Sequence, residues 1–483
     1  MKIAIVGCGI SGANVLKNII EDDSFNEDIY IDVFEKRNEL AVGPAYEDDD
    51  LYKILNTPIE HMNINIDDHS EFKSWLEQNY EDLPTKEGKI PRPIFGKYAK
   101  ESYKKYFSHP NVSIYQTEVK NVLKDINVFN IETIDKSYGP YQAVFLTIGQ
   151  SYYKDDYNLK TYENYITNPY PLREKIINIK CDDGIGIIGT GPAAIDIYRY
   201  LKEYTDFSKP LYFFTNSSFF ALPEIRENYP RNICSIDDQW VDSHKNEQGF
   251  VRLSEFKKAF NDDFRKVSLD FDEIYNHYKD NSPKLSKKAL EDKDFKLEFC
   301  QSYTLELWYA SSKLYNSFNG LDRIKFREEY LSKIVYLMTK TPAITMEKIL
   351  YDLDAGKIKI IKNTEDINFI DGKFKVETEG KQEFTTDKIY NAQGFEKDLT
   401  KAIKNDDLLK SLFKNRLIEA DDKKNINVMY PSYNPLTSKY GRVKNLYLNG
   451  MWTENIDISN NDLRSVLISS EQMAKDFMKN LKK

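Results

Sequence analysis

Cysteine and histidine are scarce in this chain: of 483 residues, four are cysteine and five are histidine. The cysteines lie far apart and form no C-x-x-C pair, which argues against a redox-active dithiol, a disulfide framework and a zinc site. The histidines show no H-x-x-x-H or other ligand spacing, so we predict no metal site. This cysteine usage is typical of a reducing compartment, and we expect a cytoplasmic protein. The cysteines are Cys8, Cys181, Cys234 and Cys300.

Long apolar runs and an excess of positive charge are also missing. No stretch approaches the ~20 apolar residues that span a bilayer, so no membrane partner is expected. Acidic residues outnumber basic ones by 77 to 68, and the net charge of −9 argues against nucleic-acid binding. Neither a P-loop nor a G-x-S-x-G motif occurs, which leaves nucleotide triphosphatase and hydrolase functions without support. Composition and length indicate a globular protein of roughly three domain-sized units.

The chain instead contains two dinucleotide-binding motifs, each at the end of an apolar strand. The first reads G-x-G-x-x-G and the second G-x-G-x-x-A. The first glycine allows a tight turn, the second admits a pyrophosphate, and the small third residue lets helix and strand pack closely. Two motifs suggest two dinucleotides, most simply FAD and a nicotinamide. The motif residues are Gly7, Gly9 and Gly12 in the first copy and Gly189, Gly191 and Ala194 in the second.

The elements around the first motif follow a β-α-β order. We predict a helix over residues 11–20 and a strand over residues 30–34 that ends at Glu35. An acidic residue at this spacing binds the ribose hydroxyls of a dinucleotide, although an ordinary strand-end carboxylate is the alternative. Cys8, inside the glycine turn, is predicted to be a packed small apolar residue. Further strands are expected over residues 112–115, 127–133 and 141–147.

The second motif opens a similar unit, which a helical segment interrupts. We predict a helix over 193–204, a strand over 211–215, and a glycine-poor helical insertion over 228–347 that caps a substrate pocket. Further strands are expected at 358–361, 367–370, 373–376, 388–395 and 446–450, with a hairpin turn at Asp371–Gly372 and a final helix over 463–481.

The predicted fold class is therefore α/β, with two Rossmann-like, three-layer ββα dinucleotide-binding domains and a helical insertion. Strands on both sides of the second motif imply that the first domain is split by the second. The predicted boundaries are 1–178 for the first part of the FAD domain, 179–227 for the first part of the nicotinamide unit, 228–347 for the insertion, 348–395 for the returning strands, and 396–483 for the C-terminal part of the FAD domain.

An ordered series of short motifs carries a resemblance to a known group. After the first glycine motif come Ala-Val-Gly-Pro-Ala-Tyr at 41–46, Leu-Asn-Thr-Pro at 55–58, Pro-Arg-Pro at 91–93 and Thr-Ile-Gly at 147–149. The chain resembles bacterial FAD-NAD(P)-binding family flavoproteins, which have two dinucleotide-binding domains and are related to class B flavin monooxygenases. The resemblance covers about the first 225 residues well and the last 130 loosely, and the helical middle not at all.

The resemblance implies FAD on the first motif and NADPH or NADH on the second. Glu35 would bind the adenosine ribose, Val119 the adenine, and Asn56 and Met62 the flavin side. Arg92 would either contact a phosphate or anchor a loop. The helix near Ser465 would point its N-terminus at the flavin pyrimidine. The full FAD set is Gly7, Gly9, Ile10, Ser11, Gly12, Glu35, Lys36, Asn56, Met62, Arg92, Val119, Thr147, Gly149 and Gly450; the nicotinamide set is Gly189, Gly191, Pro192, Ala193, Ala194 and Gly394.

The sequence also departs from this group. Met451 stands where many relatives have Asp after the glycine equivalent to Gly450. No arginine follows the second strand of the nicotinamide unit, so Arg226 is the nearest candidate for a 2′-phosphate partner, and NADPH and NADH both stay open. A degenerate nicotinamide site is the further alternative. The stretch 387–395 resembles one in N-hydroxylating monooxygenases, with Gln393 in place of Thr; an ordinary glycine turn is the alternative.

These observations favour an FAD-dependent, NAD(P)H-driven, monooxygenase-like enzyme that acts on a small metabolite. The alternatives are a flavin reductase or dehydrogenase with another acceptor, and a flavin-binding scaffold or sensor without turnover. The sequence singles out no catalytic residue; His61 is either a proton donor or an ordinary histidine. The insertion's aromatic residues either build a dry pocket or form plain core. They are Trp240, Phe250, Tyr275, Trp308 and Tyr309. Oligomeric state is not predicted.

Overall fold

The structure is a computed structural model that describes residues 1–150, 152–216, 219–225 and 232–481. Two five-stranded parallel sheets lie at its centre, and three-stranded antiparallel sheets accompany them. Within the described residues, no helix is long and apolar enough to cross a membrane.

The first 150 residues build the first nucleotide unit. Its opening strand is almost wholly buried, as expected for a parallel strand that is covered on both faces. A 3-10 helix also occurs at Ile59–His61. The elements are β1 (Lys2–Val6), α1 (Ile10–Ile20), β2 (Tyr30–Glu35), α2 (Gly43–Tyr46), α3 (Glu71–Asn79), α4 (Arg92–Phe107), β3 (Val112–Gln116), β4 (Val119–Asp125), β5 (Val128–Thr133), β6 (Ser137–Tyr141) and β7 (Ala143–Gly149).

The second nucleotide unit starts after a linker and leads into the helical insertion. Short strands β11 and β12 pair with each other at the base of the insertion. A π-helical turn at Arg327–Leu331 joins two of its helices. The elements are β8 (Tyr165–Ile166), α5 (Leu172–Lys175), β9 (Ile185–Ile188), α6 (Pro192–Tyr204), β10 (Leu211–Thr215), β11 (Leu222–Pro223), α7 (Asp238–Ser243), α8 (Leu253–Lys266), α9 (Phe271–Tyr278), α10 (Pro283–Glu291), α11 (Phe295–Ser317), α12 (Gly320–Phe326), α13 (Ser332–Met338), β12 (Lys340–Thr341) and α14 (Ala343–Asp354).

The last third of the chain returns to both sheets. A 3-10 helix at Met451–Thr453 follows the final strand. The elements are β13 (Ile358–Lys362), β14 (Thr364–Ile370), β15 (Lys373–Thr378), β16 (Glu383–Thr386), β17 (Lys388–Asn391), α15 (Leu399–Ala402), α16 (Asp407–Lys414), β18 (Val428–Met429), β19 (Asn434–Thr437), β20 (Gly441–Arg442), β21 (Leu446–Gly450) and α17 (Leu463–Leu481).

The first parallel sheet has the order β21-β7-β1-β2-β3. Ile3 of β1 lies opposite Ile31 of β2 on one side and Ala143 of β7 on the other. The antiparallel sheet β4-β5-β6 covers one face, and α1 covers the other together with α17. Asn14 of α1 donates to the Leu467 carbonyl of α17 at 2.9 Å, which fixes the C-terminal helix to the first unit.

The second parallel sheet has the order β13-β10-β9-β17-β8. The antiparallel sheet β14-β15-β16 packs on it through a cluster that includes Ile188, Phe214, Phe374 and Ile389. The hairpin between β14 and β15 turns at Asp371 and Gly372, as the sequence predicted, and both residues have positive φ. Each parallel sheet is therefore one layer of a ββα sandwich, and the predicted fold class is confirmed.

The helical insertion has a core of its own that is rich in aromatic rings. Phe256, Phe260 and Phe264 recur at every fourth position of α8 and are buried; Phe260 and Phe264 pack on Tyr303 of α11. Ring centroids in this cluster lie about 5 Å apart with edge-to-face angles, the arrangement that aromatic pairs favour. The insertion is thus a packed helical layer rather than a loose excursion from the sheet.

One predicted strand proved wrong in its bounds. The apolar pattern over residues 141–147 was expected to form a single strand, but Gln142 breaks it. Tyr141 ends β6 of the antiparallel sheet, and its hydroxyl donates to Asp32 at 2.6 Å; Ala143 begins β7 of the parallel sheet. Two strands of different sheets meet here, and the sequence pattern does not distinguish them.

Candidate functional site

The first glycine turn is shaped by contacts that only glycine permits. Gly7 has a φ of 88°, and a Cβ there would lie 2.4 Å from the Thr147 carbonyl oxygen. A Cβ on Gly12 would lie 2.2 Å from the Gly7 carbonyl oxygen. The Thr147 hydroxyl donates to that same Gly7 oxygen at 2.6 Å and covers the turn. The turn is therefore held closed by backbone packing before any nucleotide binds.

Glu35 lies at the end of β2 and supports the same turn. Its carboxylate accepts hydrogen bonds from the backbone N–H of Cys8 at 2.6 Å and of Arg37 at 3.0 Å. Cys8 is fully buried, as predicted, and burial raises the pKa of its thiol. Lys36 lies on the surface, paired with Glu118 at 3.4 Å. A buried carboxylate at this strand end has the position that a ribose partner requires.

The start of α1 suits a pyrophosphate. Gly9 is the N-cap residue, and within the described part of the chain no side chain caps this helix. Unpaired N–H groups and the helix dipole favour an anion at such an end. Gly9 faces Gly43 closely, since a Cβ on Gly9 would lie 3.5 Å from the Gly43 Cα. The Ser11 hydroxyl accepts a hydrogen bond from Asn449 at 2.9 Å. Ile10 begins the helix and is buried.

The C-terminal strand brings a second glycine pair beside this turn. Gly450 of β21 lies opposite Gly149 of β7, has a φ of 117°, and would place a Cβ 3.1 Å from the Gly149 carbonyl oxygen. Helix α17 spans Leu463–Leu481, as predicted, and Asp462 accepts from the Ser465 N–H at 3.2 Å. Met451, which replaces the expected aspartate, is buried.

The predicted flavin-side residues occupy different environments. Asn56 is exposed, whereas Met62 is packed into the core of the first unit. Val119 begins β4 and is buried. The Arg92 guanidinium donates to the Ile54 carbonyl at 2.9 Å, so its geometry favours the loop-anchoring interpretation over the phosphate contact.

The second glycine turn repeats the backbone geometry of the first. Gly189 has a φ of 111°, and a Cβ there would lie 2.7 Å from the Ala392 carbonyl oxygen. Gly191 is the N-cap of α6, and among the described atoms a Cβ on it would meet nothing within 4 Å. Pro192 opens the helix, Ala193 follows it, and Ala194 is buried against the sheet.

The stretch around Gly394 connects this turn to the linker between the two units. Gly394 has a φ of 81°, and its carbonyl accepts from the Lys154 N–H at 2.9 Å. Gln393 donates to Asp156 at 3.0 Å. These contacts describe a glycine turn that pairs with the linker. Arg226, the candidate partner of a 2′-phosphate, lies outside the described residues.

One cleft of about 1000 Å³ lies between the flavin-side loop, the start of α6 and the insertion. Five parts of the chain line it: the flavin-side loop 56–58, the first residue of α6, the insertion with Ala221 at its base, Lys397, and the loop 454–462 that leads into α17. Its wall carries apolar and charged side chains. The lining includes Asn56, Pro192, Leu305, Trp308, Lys340, Glu454, Ser459 and Asp462.

The five insertion aromatics separate into two groups. Trp308 lines the cleft, and Tyr309 stacks on His61 with ring centroids 5.0 Å apart. Trp240 stacks instead on His244, Phe250 is 38% exposed, and Tyr275 packs on Tyr336. Among the described residues that line the cleft, Trp308 is thus the one that belongs to these five aromatics.

A buried carboxylate beside the cleft was missed by the sequence. Asp457 accepts from the Ser312 hydroxyl at 2.5 Å and from the Ser459 hydroxyl at 3.2 Å. Ser459 in turn lies 2.5 Å from the Ser465 hydroxyl in the first turn of α17. Burial raises the pKa of Asp457 to about 6. These residues come together only in the folded chain, because Ser312 belongs to α11 of the insertion and is far from Asp457 in the sequence.

A second buried charge cluster borders the cleft. Glu224 pairs with Lys89 at 2.9 Å and with Lys340 at 3.4 Å, and all three side chains are at least nine-tenths buried. Burial lowers the pKa of Lys340 to about 8, and Glu224 opposes that shift. Lys340 therefore brings a positive charge to the wall of the cleft.

Comparison with known proteins identifies the first unit. Residues 4–151 match the FAD-NAD(P)-binding family. This match confirms the resemblance inferred from the sequence, and FAD and NAD(P) are the cofactors that the family name gives. No curated protein sequence matches the chain. The individual contacts to these cofactors stay predictions.

Solved structures share the fold over nearly the whole chain. L-lysine 6-monooxygenase from Pseudomonas syringae is 11% identical, with a TM-score of 0.61 over 100% of this chain and 99% of that one. Ornithine N-hydroxylase from Kutzneria sp. 744, solved with reduced FAD, NADP⁺ and L-ornithine, is 13% identical, with a TM-score of 0.59 and the same coverage. Bacillithiol disulfide reductase from Staphylococcus aureus is 13% identical, with a TM-score of 0.51 over 99% and 98% of the two chains.

Proposed function

We propose that this chain is an FAD-dependent monooxygenase that takes hydride from NAD(P)H and hydroxylates a small amine. The observation that carries the proposal is the single cleft onto which the flavin-side loop, the start of α6 and the insertion all open. Such a cleft lets a nicotinamide, a flavin and a substrate meet in one place. The fold shared with lysine and ornithine monooxygenases supports the same reaction class.

FAD, when bound, supplies hydride acceptance and oxygen activation, and the chain supplies position and charge. Gly9 and the N-terminus of α1 would hold its pyrophosphate, and the N-terminus of α17 would face its pyrimidine edge. Gly191 and the N-terminus of α6 would hold the nicotinamide pyrophosphate. Trp308 and Leu305 would exclude water from the reacting groups.

The wall of the cleft carries both signs of charge: Glu454 and Asp462 are acidic, and Arg327, Lys340 and Lys397 are basic. Lys397 pairs with Glu454 at 2.9 Å, so the cationic group of a substrate is assigned to Asp462. Burial raises the pKa of Asp462, and an ammonium group beside it would oppose that shift. A primary amine on a short apolar chain would place its charge beside Asp462 and its methylene groups on Trp308. Lys340, at another part of the wall, suits a carboxylate or phosphate group.

The compartment proposed for this enzyme is the cytoplasm. The four described cysteines are free, and the described residues include no membrane-spanning helix. We propose no nucleic-acid partner, given the acidic net charge of −9.

The test is NAD(P)H oxidation by the FAD-loaded protein with a panel of short amines, followed for hydroxylamine product and hydrogen peroxide. We expect product that depends on one amine and on oxygen. Trp308→Ala should shift the yield from product to peroxide, because water enters the cleft, while Trp240→Ala outside the cleft should not.

Other outcomes would replace the proposal. Flavin reduction without hydroxylated product from any amine, but with electrons passed to another acceptor, would favour the reductase alternative. That alternative is supported by the likeness to the bacillithiol disulfide reductase. No oxidation of either nicotinamide would favour a scaffold or sensor.

A further inference from the structure

A buried ion pair joins the two nucleotide units outside the cleft. Arg92 is the first residue of α4 in the first unit, and Asp196 lies on α6 of the second. The Arg92 Nη1 and the Asp196 Oδ2 are 3.1 Å apart, and the Tyr170 hydroxyl donates to the same oxygen at 2.8 Å. The Arg92 side chain is 17% exposed and that of Asp196 is 1% exposed. A pair removed from water in this way holds a defined geometry.

The other donors of Arg92 hold the flavin-side loop. Its Nε donates to the Ile54 carbonyl at 2.9 Å, and its backbone N–H donates to the Lys53 carbonyl at 2.7 Å. Ile54 stands two residues before Asn56, which lines the cleft. Arg92 therefore contacts the backbone of the loop on one side and the nicotinamide unit on the other.

Asp196 has the corresponding place in the second unit. It lies one turn after Pro192, the first residue of α6, which lines the cleft. Its Oδ1 faces the Arg199 guanidinium at 3.4 Å, and Arg199 contacts Glu87 of the first unit at 3.0 Å. This second buried contact thus limits rotation of the two units about the Arg92–Asp196 pair.

We propose that Arg92 and Asp196 are positioning residues, which set the distance and angle between the flavin-side loop and the nicotinamide-binding helix for hydride transfer. This inference rests on the proposed function. A lysine could replace the charge of Arg92 but not its separate donors to Ile54 and Asp196. Neither Arg92 nor Asp196 is among the described residues that line the cleft. Both residues therefore act through the elements that they join.

The test compares Asp196→Asn and Arg92→Lys with a matched control. Asp48→Asn breaks another ion pair between the two units, from Asp48 to Arg173 of α5 at 2.6 Å, but both of those side chains are about half exposed. Three quantities are measured on each FAD-loaded protein. They are the rate of flavin reduction at saturating nicotinamide without oxygen, the Kd for the nicotinamide, and hydrogen exchange of backbone amides in residues 53–58.

We expect both variants to reduce flavin about 100-fold more slowly, because an error of about 1 Å in a reacting pair has that effect. The Kd should change by less than about 2-fold. Exchange in residues 53–58 should accelerate, since the Leu55 N–H to Ile90 carbonyl bond of 2.8 Å lies in the loop that Arg92 holds. Asp48→Asn should resemble the wild type in all three. Tyr170→Phe retains the ion pair and should slow flavin reduction by about 5-fold. This variant replaces the other two in the test if they do not fold.

Reduction and exchange at wild-type values in Asp196→Asn or Arg92→Lys would overturn the inference. A much weaker nicotinamide Kd or loss of FAD, with normal reduction of the loaded protein, would instead assign Arg92 to a cofactor phosphate. Failure of the wild type to reduce its flavin would overturn the proposed function and this inference together. Hydrogen exchange in residues 53–58 would then still report whether Arg92 anchors the loop. Failure of the proposed function and failure of this inference are therefore distinguishable.

Discussion

The two glycine turns share one backbone design but differ in their side chains. In both, a left-handed glycine packs on a carbonyl oxygen, Gly7 on Thr147 and Gly189 on Ala392. The first turn adds a buried carboxylate from Glu35 and a hydroxyl cover from Thr147. The second relies on backbone and opens into the cleft beside Pro192. This difference suits a first site that retains its dinucleotide and a second that exchanges it.

The largest effect is expected from Gly12→Ala in the first turn. A Cβ there would lie 2.2 Å from the Gly7 carbonyl oxygen and 2.8 Å from the Thr147 hydroxyl. Overpacking costs about 1–3 kcal/mol, and because two backbone segments would have to separate, we expect FAD binding about 100-fold weaker. FAD content and Kd measure this, with Gly320→Ala as the control, where a Cβ has open space. Equal losses in both variants would contradict the claim.

Gly189→Ala should affect the second turn alone. Its Cβ would lie 2.7 Å from the Ala392 carbonyl, and a φ of 111° is unfavourable for alanine. We expect nicotinamide binding about 30-fold weaker, with unchanged FAD content. Isothermal titration measures the Kd, and Gly380→Ala in the nearby hairpin is the control. Loss of FAD from Gly189→Ala would show that the two turns are not independent.

Glu35→Gln should have a smaller effect, confined to the first turn. The carboxylate accepts from two backbone N–H groups, and glutamine offers a single uncharged acceptor oxygen. Charge-assisted hydrogen bonds contribute about 1.5–3 kcal/mol, so we expect FAD binding about 10-fold weaker. Glu118→Gln, which removes an exposed partner of Lys36, is the control. Similarly weakened FAD binding in Glu118→Gln would show that Glu35 has no specific role in the first turn.

A further effect, on stability rather than on cofactor binding, concerns Asp457 beside the cleft and depends on pH. Burial raises the pKa of Asp457 to about 6, so the folded state binds a proton that the unfolded state releases near pH 4. The contribution of Asp457 to stability should therefore be fully present below about pH 4 and be lost as the pH rises through about 6, by about 3 kcal/mol at most. Asp457→Asn should lack this fall, as Tm measured across the pH range would show.

The control for Asp457 is Asp242→Asn, which removes an exposed carboxylate. Lys245 and Lys313 lower the pKa of Asp242 to about 2, so its contribution is lost on acidification rather than gained. A wild-type Tm that falls with rising pH just as much in Asp457→Asn would show that another group is responsible.

The sequence predicted the local elements of both nucleotide units well, because glycine spacing and apolar alternation are local signals. Helix α1, strand β2 and the hairpin at Asp371–Gly372 appear within a residue of their predicted positions. The boundary between β6 and β7 was wrong, because Tyr141, the last residue of β6, continues the apolar pattern of β7 with only Gln142 between them.

The cleft could not be predicted in the same way. The polar contacts beside the cleft and between the two units join residues far apart in the chain, such as Ser312 with Asp457 and Arg92 with Asp196. No local pattern indicates such pairs. The aromatic composition of the insertion signalled a packed layer but did not show that Trp308 would line the cleft while Trp240 would not.

Anaerobic reduction of the FAD-loaded protein by NADPH or NADH, in the wild type and in Gly189→Ala, tests whether the flavin-side loop and the second glycine turn serve hydride transfer across one cleft. We predict rapid bleaching of the flavin in the wild type with at least one nicotinamide. We predict much slower bleaching in Gly189→Ala at the same FAD content and the same subsaturating nicotinamide concentration. A flavin that stays oxidised with both nicotinamides, or equal rates in the two proteins, would contradict the account.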